Sequence, residues 1–308
     1  MEIITLTLSP AFDIHCRASA FQPYHENIVE VTARDAGGKG VNISRALARF
    51  GRSNTAVLAL GKENGDEFCR MLDGELDALT KIWCDGRIRE NITLHEDGRG
   101  ETRISFGGFP IDGAALRRVR DALSSCGDGS IVTLTGSIPS GVPMEDVLAL
   151  LGECKARGAK IVIDSRSVSL SELLSFSPWL IKPNQDEISA YTGEKIETAE
   201  DAARIAKELC ASGIRNVMVS LGSLGAVLAS AGNAFYARAS HVNAVSTIGA
   251  GDSSIAGFLD GYASGAEIHA CLARAVAFGS AACLREGTQP PLPSDVARLL
   301  SEISVIRL

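Results

Sequence analysis

An α/β fold with a mostly parallel central sheet and a small β lid is the architecture that this sequence predicts. From residue 111 onward, predicted strands and helices alternate regularly, which is typical of right-handed crossovers and a parallel sheet. Residues 88–107 instead have the period of an antiparallel hairpin. The 308 residues contain no repeat, low-complexity tract or linker. We therefore expect one domain, residues 1–308, with a lid formed by residues 14–33 and 86–108.

The first part of the chain begins with a strand and reaches a helix through a glycine-rich turn. Residues 1–8 alternate like a strand, and the segment that follows is polar and poorly periodic as far as Asp35. Ala36-Gly37-Gly38-Lys39-Gly40-Val41-Asn42 then begins an amphipathic helix, which Gly51 ends. The next predicted elements are a strand, a helix and a strand at residues 54–60, 66–72 and 79–84.

The hairpin predicted at residues 88–107 has one apolar and one polar face. Because side chains alternate along a strand, like faces coincide only if each pair of opposed residues has numbers that sum to an even value. Thr93 and Arg103 are such a pair. This rule favours a three-residue loop at Asp97-Gly98-Arg99. The polar face then gathers Arg89, Asn91 and Arg103 on one surface.

The second half of the chain continues the alternation of strands and helices. Predicted strands lie at residues 131–134, 160–164, 180–182, 216–220, 225–228 and 234–238. Predicted helices lie at 144–156, near 170–174, at 185–191 and after a capping-box pattern at Thr198–Asp201, and three helices complete the chain. In such sheets ligands bind at the carboxyl ends of the strands.

Composition and charge exclude several classes of protein. The formal charge of −7 leaves no basic surplus for general nucleic-acid binding, although a local basic pocket is compatible with it. The eight cysteines form no Cys-x-x-Cys pair, which favours reduced thiols in the cytosol. The N-terminus lacks the pattern of a signal peptide, and charged or polar residues interrupt the apolar segment 266–284, so we expect no membrane span.

The strongest functional signal is Ser246-Thr247-Ile248-Gly249-Ala250-Gly251-Asp252, a glycine-rich turn that leads into a helix. Unpaired N–H groups and the dipole at a helix start attract phosphate, whereas the carboxylate of Asp252 repels it. Two interpretations of Asp252 follow. It is either an ordinary first-turn acid that favours the positive helix end, or a general base for an attacking hydroxyl.

Two common nucleotide-binding motifs are absent. The sequence contains no Gly-x-x-x-x-Gly-Lys-Ser/Thr, and no Gly-x-Gly-x-x-Gly follows the first strand. Phosphate binding would therefore use another device.

Five segments in order resemble the motifs of ribokinase-like (PfkB) sugar kinases. These segments are Gly37–Ser44, Thr135-Gly136-Ser137-Ile138-Pro139-Ser140-Gly141, Lys182-Pro183-Asn184-Gln185-Asp186-Glu187, Val219–Gly225 and Ser246–Asp252. The resemblance spans essentially the whole chain. It implies a three-layer ribokinase-like sandwich and an ATP-dependent, Mg²⁺-dependent kinase; K⁺ activation is left open.

The resemblance also implies roles for individual residues. Asp252 would remove the proton of the acceptor hydroxyl, while the N–H groups of Gly249, Ala250, Gly251 and Asp252 would stabilise the transferring phosphoryl group. The expected acceptor-binding residues are Asp13, Gly38, Lys39, Asn42, Arg89, Asn91, Arg103 and Ser137. The residues expected along ATP are Lys182, Asn184, Glu187, Ser220, Gly222, Gly225 and Ser246, with Glu187 also at the metal.

The substrate is inferred from positive charge on the acceptor side. Lys39, Arg89 and Arg103 suit an acceptor that already carries a phosphate, since guanidinium groups bind phosphate bidentately. The motifs around Asp13, Lys39 and Arg89 most resemble the 1-phosphofructokinase/tagatose-6-phosphate kinase branch, which predicts fructose 1-phosphate as the substrate. A hexose 6-phosphate is the alternative that Arg103 favours. A kinase for unphosphorylated sugars and a sensor without turnover are further alternatives.

The resemblance further implies a homodimer formed through the lids. The apolar residues of the hairpin need a partner, which would be either the main domain or a second lid.

Overall fold

The computed structural model of the chain describes residues 1–308 as an α/β fold with two sheets. The strands are β1 Glu2–Thr7, β2 Ala11–Ala18, β3 Glu30–Gly37, β4 Thr55–Gly61, β5 Ala78–Cys84, β6 Arg89–Glu96, β7 Gly100–Ser105, β8 Ser130–Thr135, β9 Lys160–Asp164, β10 Leu180–Ile181, β11 Asn216–Ser220, β12 Ala226–Ser230, β13 Asn233–Ala237 and β14 Val305–Arg307. The helices are α1 Lys39–Arg49, α2 Gly65–Met71, α3 Gly113–Ala122, α4 Met144–Ala156, α5 Leu170–Phe176, α6 Gln185–Thr192, α7 Ala199–Ala211, α8 Ala250–Ala263, α9 Ile268–Ala282 and α10 Pro293–Glu302.

The main sheet is mostly parallel, as predicted. Its ten strands follow the order β14-β13-β12-β11-β10-β9-β8-β1-β4-β5. Every pair from β5 to β11 is parallel, whereas β12, β13 and β14 add antiparallel pairs at one edge. The carboxyl ends of the parallel strands therefore meet along one edge, where ligands bind in such sheets.

Helices cover both faces of this sheet and make three layers. Alternating strand residues face opposite sides, so Ile3 and Ile131 belong to one buried cluster and Ile4 and Val132 to the other. The smaller cluster packs against α8, α9 and α10, and the larger one contains residues of α3, α4 and α7. This arrangement places the start of α8 beside the carboxyl ends of the central strands.

The second sheet has the strand order β3-β2-β6-β7. Thr93 is paired with Arg103, and residues 97–99 form the loop between β6 and β7, so the predicted register is confirmed. The sheet begins at Ala11 and includes residues up to Gly37, which extends the predicted segment 14–33 at both ends. The sequence of β3 does not show the alternation of polar and apolar residues that marks a strand. Arg34 and Asp35 are adjacent and both charged, so each face of the strand carries a charge.

The chain ends in a short strand, so the prediction that three helices complete it is wrong in this detail. β14 pairs antiparallel with β13 and extends the main sheet. A strand of three residues is too short for its periodicity to be seen in the sequence. No helix of the structure combines the length and the apolar character needed to span a membrane.

Candidate active site

The start of α8 has the backbone geometry of an anion-binding site. Gly249 precedes the helix with φ of 78°, a left-handed conformation that glycine adopts without strain. The first N–H groups of a helix have no acceptor within it, and the helix dipole adds positive potential at this end. Gly251 lies against Lys182, because a Cβ added to Gly251 would come within 3.2 Å of the Lys182 Nζ. Both features favour a bound phosphate.

Asp252 lies in the first turn of α8 and is buried. The Asn42 amide donates a hydrogen bond of 2.8 Å to its Oδ2. Burial raises the pKa of Asp252 to about 6, although the charge of Lys39 and the hydrogen bond from Asn42 oppose this shift. A carboxylate of this pKa is a suitable general base at neutral pH.

Two lysines share a buried carboxylate next to Asp252. The Nζ of Lys39 lies 3.0 Å from Asp164 Oδ2, and the Nζ of Lys182 lies 3.8 Å from the same oxygen. Burial alone would raise the pKa of Asp164, but Lys182 and Lys39 more than offset it and lower that pKa. This cluster therefore places two positive charges beside the anion-binding start of α8.

The polar face of the second sheet presents Asp13. Its Oδ1 accepts hydrogen bonds from the Asn91 amide at 3.0 Å and from Arg103 at 3.3 Å. Burial raises the pKa of Asp13, while Asn91 and Arg103 oppose the shift. A side chain at position 37 would overlap the Asp13 carboxylate, so Gly37 is required there. Asp13 is thus held in place to accept hydrogen bonds from hydroxyl groups.

Arg89 begins β6 and lies close to Asp13 and Arg103. Its guanidinium donates to the carbonyl of Phe106 at 3.0 Å and to that of Ser9 at 3.4 Å. Burial lowers the pKa of Arg89, the carboxylate of Asp13 opposes this shift, and Arg103 adds to it. The predicted grouping of Arg89, Asn91 and Arg103 on one surface is therefore observed.

Several residues of this region carry buried polar atoms without hydrogen-bond partners. They include Thr7 Oγ1, Asn42 Oδ1, Arg89 Nε, Asn91 Oδ1 and Thr135 Oγ1. Gly38 precedes α1 at this point with φ of 127°. Unpaired buried polar atoms are costly, and a ligand that supplied the missing partners would remove this cost.

A cavity of about 790 Å³ is lined by Lys182 and by residues of the turns after β10 and β11. This volume is typical of a ligand pocket. Ala250 and Gly251 also line it, so it reaches the start of α8. The predicted cofactor residues that line it are Lys182, Asn184, Ser220, Gly222 and Gly225.

Asn184 and Glu187 form a capping box at the start of α6. The Asn184 side chain accepts from the Glu187 N–H, and Glu187 Oε2 accepts from the Asn184 N–H. The remaining Glu187 oxygen pairs with Arg166 at 2.6 Å. Glu187 lines a small cavity together with Asp164 and Lys182. No group of three or more His, Cys, Asp or Glu side chains is arranged to hold a metal ion by itself.

Three predicted residues differ from the expected arrangement. Lys39 forms its ion pair with Asp164 and contacts neither Arg89 nor Arg103, so the three cations do not form one cluster. Ser137 is exposed just beyond β8. Ser246 is buried, accepts a hydrogen bond from the Ile248 N–H and does not line the 790 Å³ cavity. Ligand contacts of Ser137 and Ser246 remain predictions.

Sequence reasoning missed three residues of this region. Asp164 organises the two lysines, and Thr7 and Thr135 contribute unpaired hydroxyls. Each lies at the carboxyl end of a central parallel strand. That position was the available signal, because such strand ends carry ligand-binding residues in sheets of this type.

This combination of fold and site is that of a ribokinase-like sugar kinase, as the sequence predicts. The chain belongs to the pfkB family of carbohydrate kinases, whose family model matches residues 12–295. The expected class of enzyme, an ATP-dependent sugar kinase, is thereby confirmed.

Named relatives and solved structures agree with this assignment. The chain is 34% identical to the 1-phosphofructokinase of Escherichia coli (strain K12) over 262 residues, which cover 84% of each chain. It is 30% identical to the ATP-dependent 6-phosphofructokinase isozyme 2 of the same strain, over 99% of each chain. The crystal structure of phosphofructokinase-2 from Escherichia coli in complex with substrates and products is similar with a TM-score of 0.91 and 28% identity, over 98% of this chain and 99% of that one.

Proposed function

We propose that the enzyme transfers the γ-phosphoryl group of ATP to a ketohexose phosphate, converting fructose 1-phosphate to fructose 1,6-bisphosphate. The observation that carries this proposal is the pair of guanidinium groups, Arg89 and Arg103, beside Asp13 on the polar face of the second sheet, which we propose is the acceptor-binding side. Two cations suit an acceptor that carries a phosphate, and Asp13 suits its hydroxyl groups. The 1-phosphofructokinase relative supports fructose 1-phosphate as the first choice.

In the proposed reaction, Asp252 takes the proton of the acceptor hydroxyl as the oxygen attacks the γ-phosphorus. The new O–P bond forms while the bond between the γ-phosphorus and the bridging oxygen breaks, and ADP leaves with that electron pair. Asn42 orients the Asp252 carboxylate through its hydrogen bond. The N–H groups of residues 249–252 bind the phosphoryl oxygens as negative charge develops on them.

Lys39 and Lys182 would neutralise phosphate charge on the ATP side of the reaction. Both lie near Asp164, which holds them at the start of α8 before the nucleotide binds. In this proposal Lys39 therefore contributes to phosphoryl transfer, and its contact with the acceptor stays a prediction.

Mg²⁺ would be held by few protein groups. This ion usually keeps several waters and binds one or two carboxylates together with substrate phosphates. Glu187 and Asp164 meet at one small cavity and are the carboxylates that would hold it, in place of the ion pairs that they form here with Arg166 and the two lysines. When bound, the ion supplies charge neutralisation on the ATP phosphates.

A 6-phosphofructokinase is the second candidate. The 6-phosphofructokinase relative supports it, and Arg103 is the residue that the resemblance connects with a hexose 6-phosphate. A tagatose-6-phosphate kinase differs from a 6-phosphofructokinase only in the configuration of the sugar that it phosphorylates. A nucleotide or sugar-phosphate sensor without turnover is disfavoured, because Asp252, Asn184 and Glu187 are all present and positioned.

The test is turnover of ATP with fructose 1-phosphate, fructose 6-phosphate and tagatose 6-phosphate, each under the same conditions, with identification of the bisphosphate product. We expect the highest kcat/KM with fructose 1-phosphate. Preference for fructose 6-phosphate would select the second candidate, and ATP turnover with none of the three would contradict the proposal.

The rate of the reaction should depend on the titration of Asp252. Because the pKa of Asp252 is raised to about 6, its basic form predominates above that pH and is lost below it. We expect kcat/KM, which reports the titration of the free enzyme, to be roughly 10-fold lower at pH 5 than at pH 8. A kcat/KM that is constant between these values would contradict the assignment of Asp252 as the base.

The second sheet is proposed to act as a lid that excludes water and to join two copies of the chain. On its outer face Val31 is 60% exposed and Ile104 is 44% exposed. Light scattering at micromolar concentration should give the mass of a dimer, and Ile104→Lys should shift it to a monomer. Ile306→Lys is the matched control, since Ile306 is 52% exposed at the edge of the main sheet. A monomeric wild-type protein would contradict this proposal.

We also propose that the protein is located in the cytosol. All eight cysteines are free, and most are buried, as expected of a protein in a reducing environment.

A further inference from the structure

The segment Glu286–Gln289, which follows α9, connects the second sheet with the start of α8. The Thr288 N–H donates to Asp35 Oδ2 at 3.2 Å, and the Gln289 side-chain amide donates to Asp35 Oδ1 at 2.7 Å. Asp35 lies on β3 and is buried. A carboxylate of the second sheet is therefore bound by two groups of this segment, one from the backbone and one from a side chain.

The same segment also contacts the helices that carry the phosphoryl-transfer site. Thr288 lies beside Gly249, since a Cβ added to Gly249 would come within 3.8 Å of the Thr288 Cα. The Gln289 Oε1 accepts a hydrogen bond of 3.2 Å from Arg45, a buried residue of α1. One short segment thus links β3, α1 and the residue that precedes α8.

Asp35 has a further connection to the acceptor side. It is the register partner of Asp13 in the antiparallel pair of β3 and β2. Moving β3 away from the segment 286–289 would therefore move the carboxylate that is proposed to hold the acceptor. The distance between acceptor and phosphoryl group depends on this connection, and misplacement by about 1 Å is enough to reduce a rate by roughly 100-fold.

We infer that Asp35 is a positioning residue, which with Gln289 fixes the acceptor-binding sheet relative to the phosphoryl-binding start of α8. Neither residue touches the reacting atoms in this account. The inference rests on the proposed function, because it requires an acceptor bound at Asp13 and a phosphoryl group bound at residues 249–252.

The hydrogen-bond directions in this connection are fixed by chemistry. Arginine can only donate, so the oxygen of Gln289 must face Arg45 and its NH₂ group must face Asp35. In Asp35→Asn, the one remaining side-chain oxygen accepts from the Thr288 N–H. The new NH₂ group then faces the NH₂ group of Gln289, and two donors form no hydrogen bond. In Gln289→Glu, two carboxylates face each other. Both single substitutions therefore break the same contact.

The double variant restores that contact with reversed polarity. In Asp35→Asn/Gln289→Glu, the asparagine amide donates to the glutamate, which still accepts from Arg45. If the single substitutions lowered kcat only by destabilising the protein locally, the double variant would not recover the rate in this specific way. Glu30→Gln is the matched control, because it makes the same chemical change at an exposed position of the same strand.

The experiment compares these variants by kcat, by KM for ATP and by thermal unfolding, assayed well below the unfolding temperature. We expect each single substitution to lower kcat by roughly 10-fold or more, with KM for ATP within about 2-fold of wild type, and the double variant to recover most of the loss. If Asp35→Asn does not fold, Gln289→Ala tests the same connection by removing the donor.

Wild-type kcat in the single variants, or a double variant no faster than the product of the two single losses, would overturn the inference. Lower unfolding temperatures with unchanged kcat would likewise reduce Asp35 to a structural role. An inactive wild-type enzyme on all three sugar phosphates is a different result, which contradicts the proposed function and removes the basis of this inference with it.

Discussion

The substitution Asp252→Asn should reduce kcat by roughly 100- to 10,000-fold while the protein folds and binds ATP. The asparagine keeps the size of the side chain and can still contact Asn42, but it cannot take the acceptor proton. The start of α8 is unchanged, so the anion-binding N–H groups remain. Turnover with fructose 1-phosphate and calorimetric titration of ATP together measure the two parts of this prediction.

Asp66 provides a control for the alternative interpretation of Asp252. Both residues are acids in the first turn of a helix, and Asp66 is exposed at the start of α2. If Asp252 only complemented the helix dipole, Asp66→Asn and Asp252→Asn should have similar, small effects on stability and none on the chemical step. Near-normal turnover in Asp252→Asn would rule out its role as the base.

The substitution Arg89→Ala should raise the KM for the sugar phosphate by roughly 10- to 100-fold. A hydrogen bond to a charged group contributes about 1.5–3 kcal/mol, and each 1.4 kcal/mol corresponds to a tenfold change in binding. Arg89 is half-buried and partly desolvated, whereas Arg103 is 47% exposed, so Arg103→Ala should have the smaller effect. The KM for ATP should stay within about 2-fold.

Arg99→Ala is the matched control for Arg89→Ala, because it removes the same charge. Arg99 lies in the loop of the same hairpin, and its side chain is 75% exposed. Arg89 also donates to the carbonyls of Phe106 and Ser9, so a structural role would lower the unfolding temperature of Arg89→Ala without changing KM. That result would place the acceptor's phosphate elsewhere.

Much of the fold and site could be predicted because the signals are local. The hairpin register follows from the parity of its residue numbers, and the anion site follows from glycines at a helix start. The even alternation of strands and helices indicates a parallel sheet without any knowledge of distant contacts. These features depend on spacing within short segments, which a sequence displays directly.

The remaining features depend on contacts between distant segments. Lys39 pairs with Asp164, 125 residues away, and nothing near Lys39 distinguishes that partner from the acceptor's phosphate. The contact between Asp35 and Gln289 likewise joins the two ends of the chain across 254 residues. Such pairs become visible only when the sheet and helices are assembled.

The central claim is that the acceptor carries a phosphate bound at the arginines of the second sheet. Its most direct test is the kcat/KM of the wild-type enzyme with fructose 1-phosphate compared with that for fructose itself, with ATP saturating. We expect the phosphorylated sugar to be preferred by roughly 100-fold or more, as one strong and one weaker charged contact imply. Equal use of both sugars, or a preference for fructose, would contradict it.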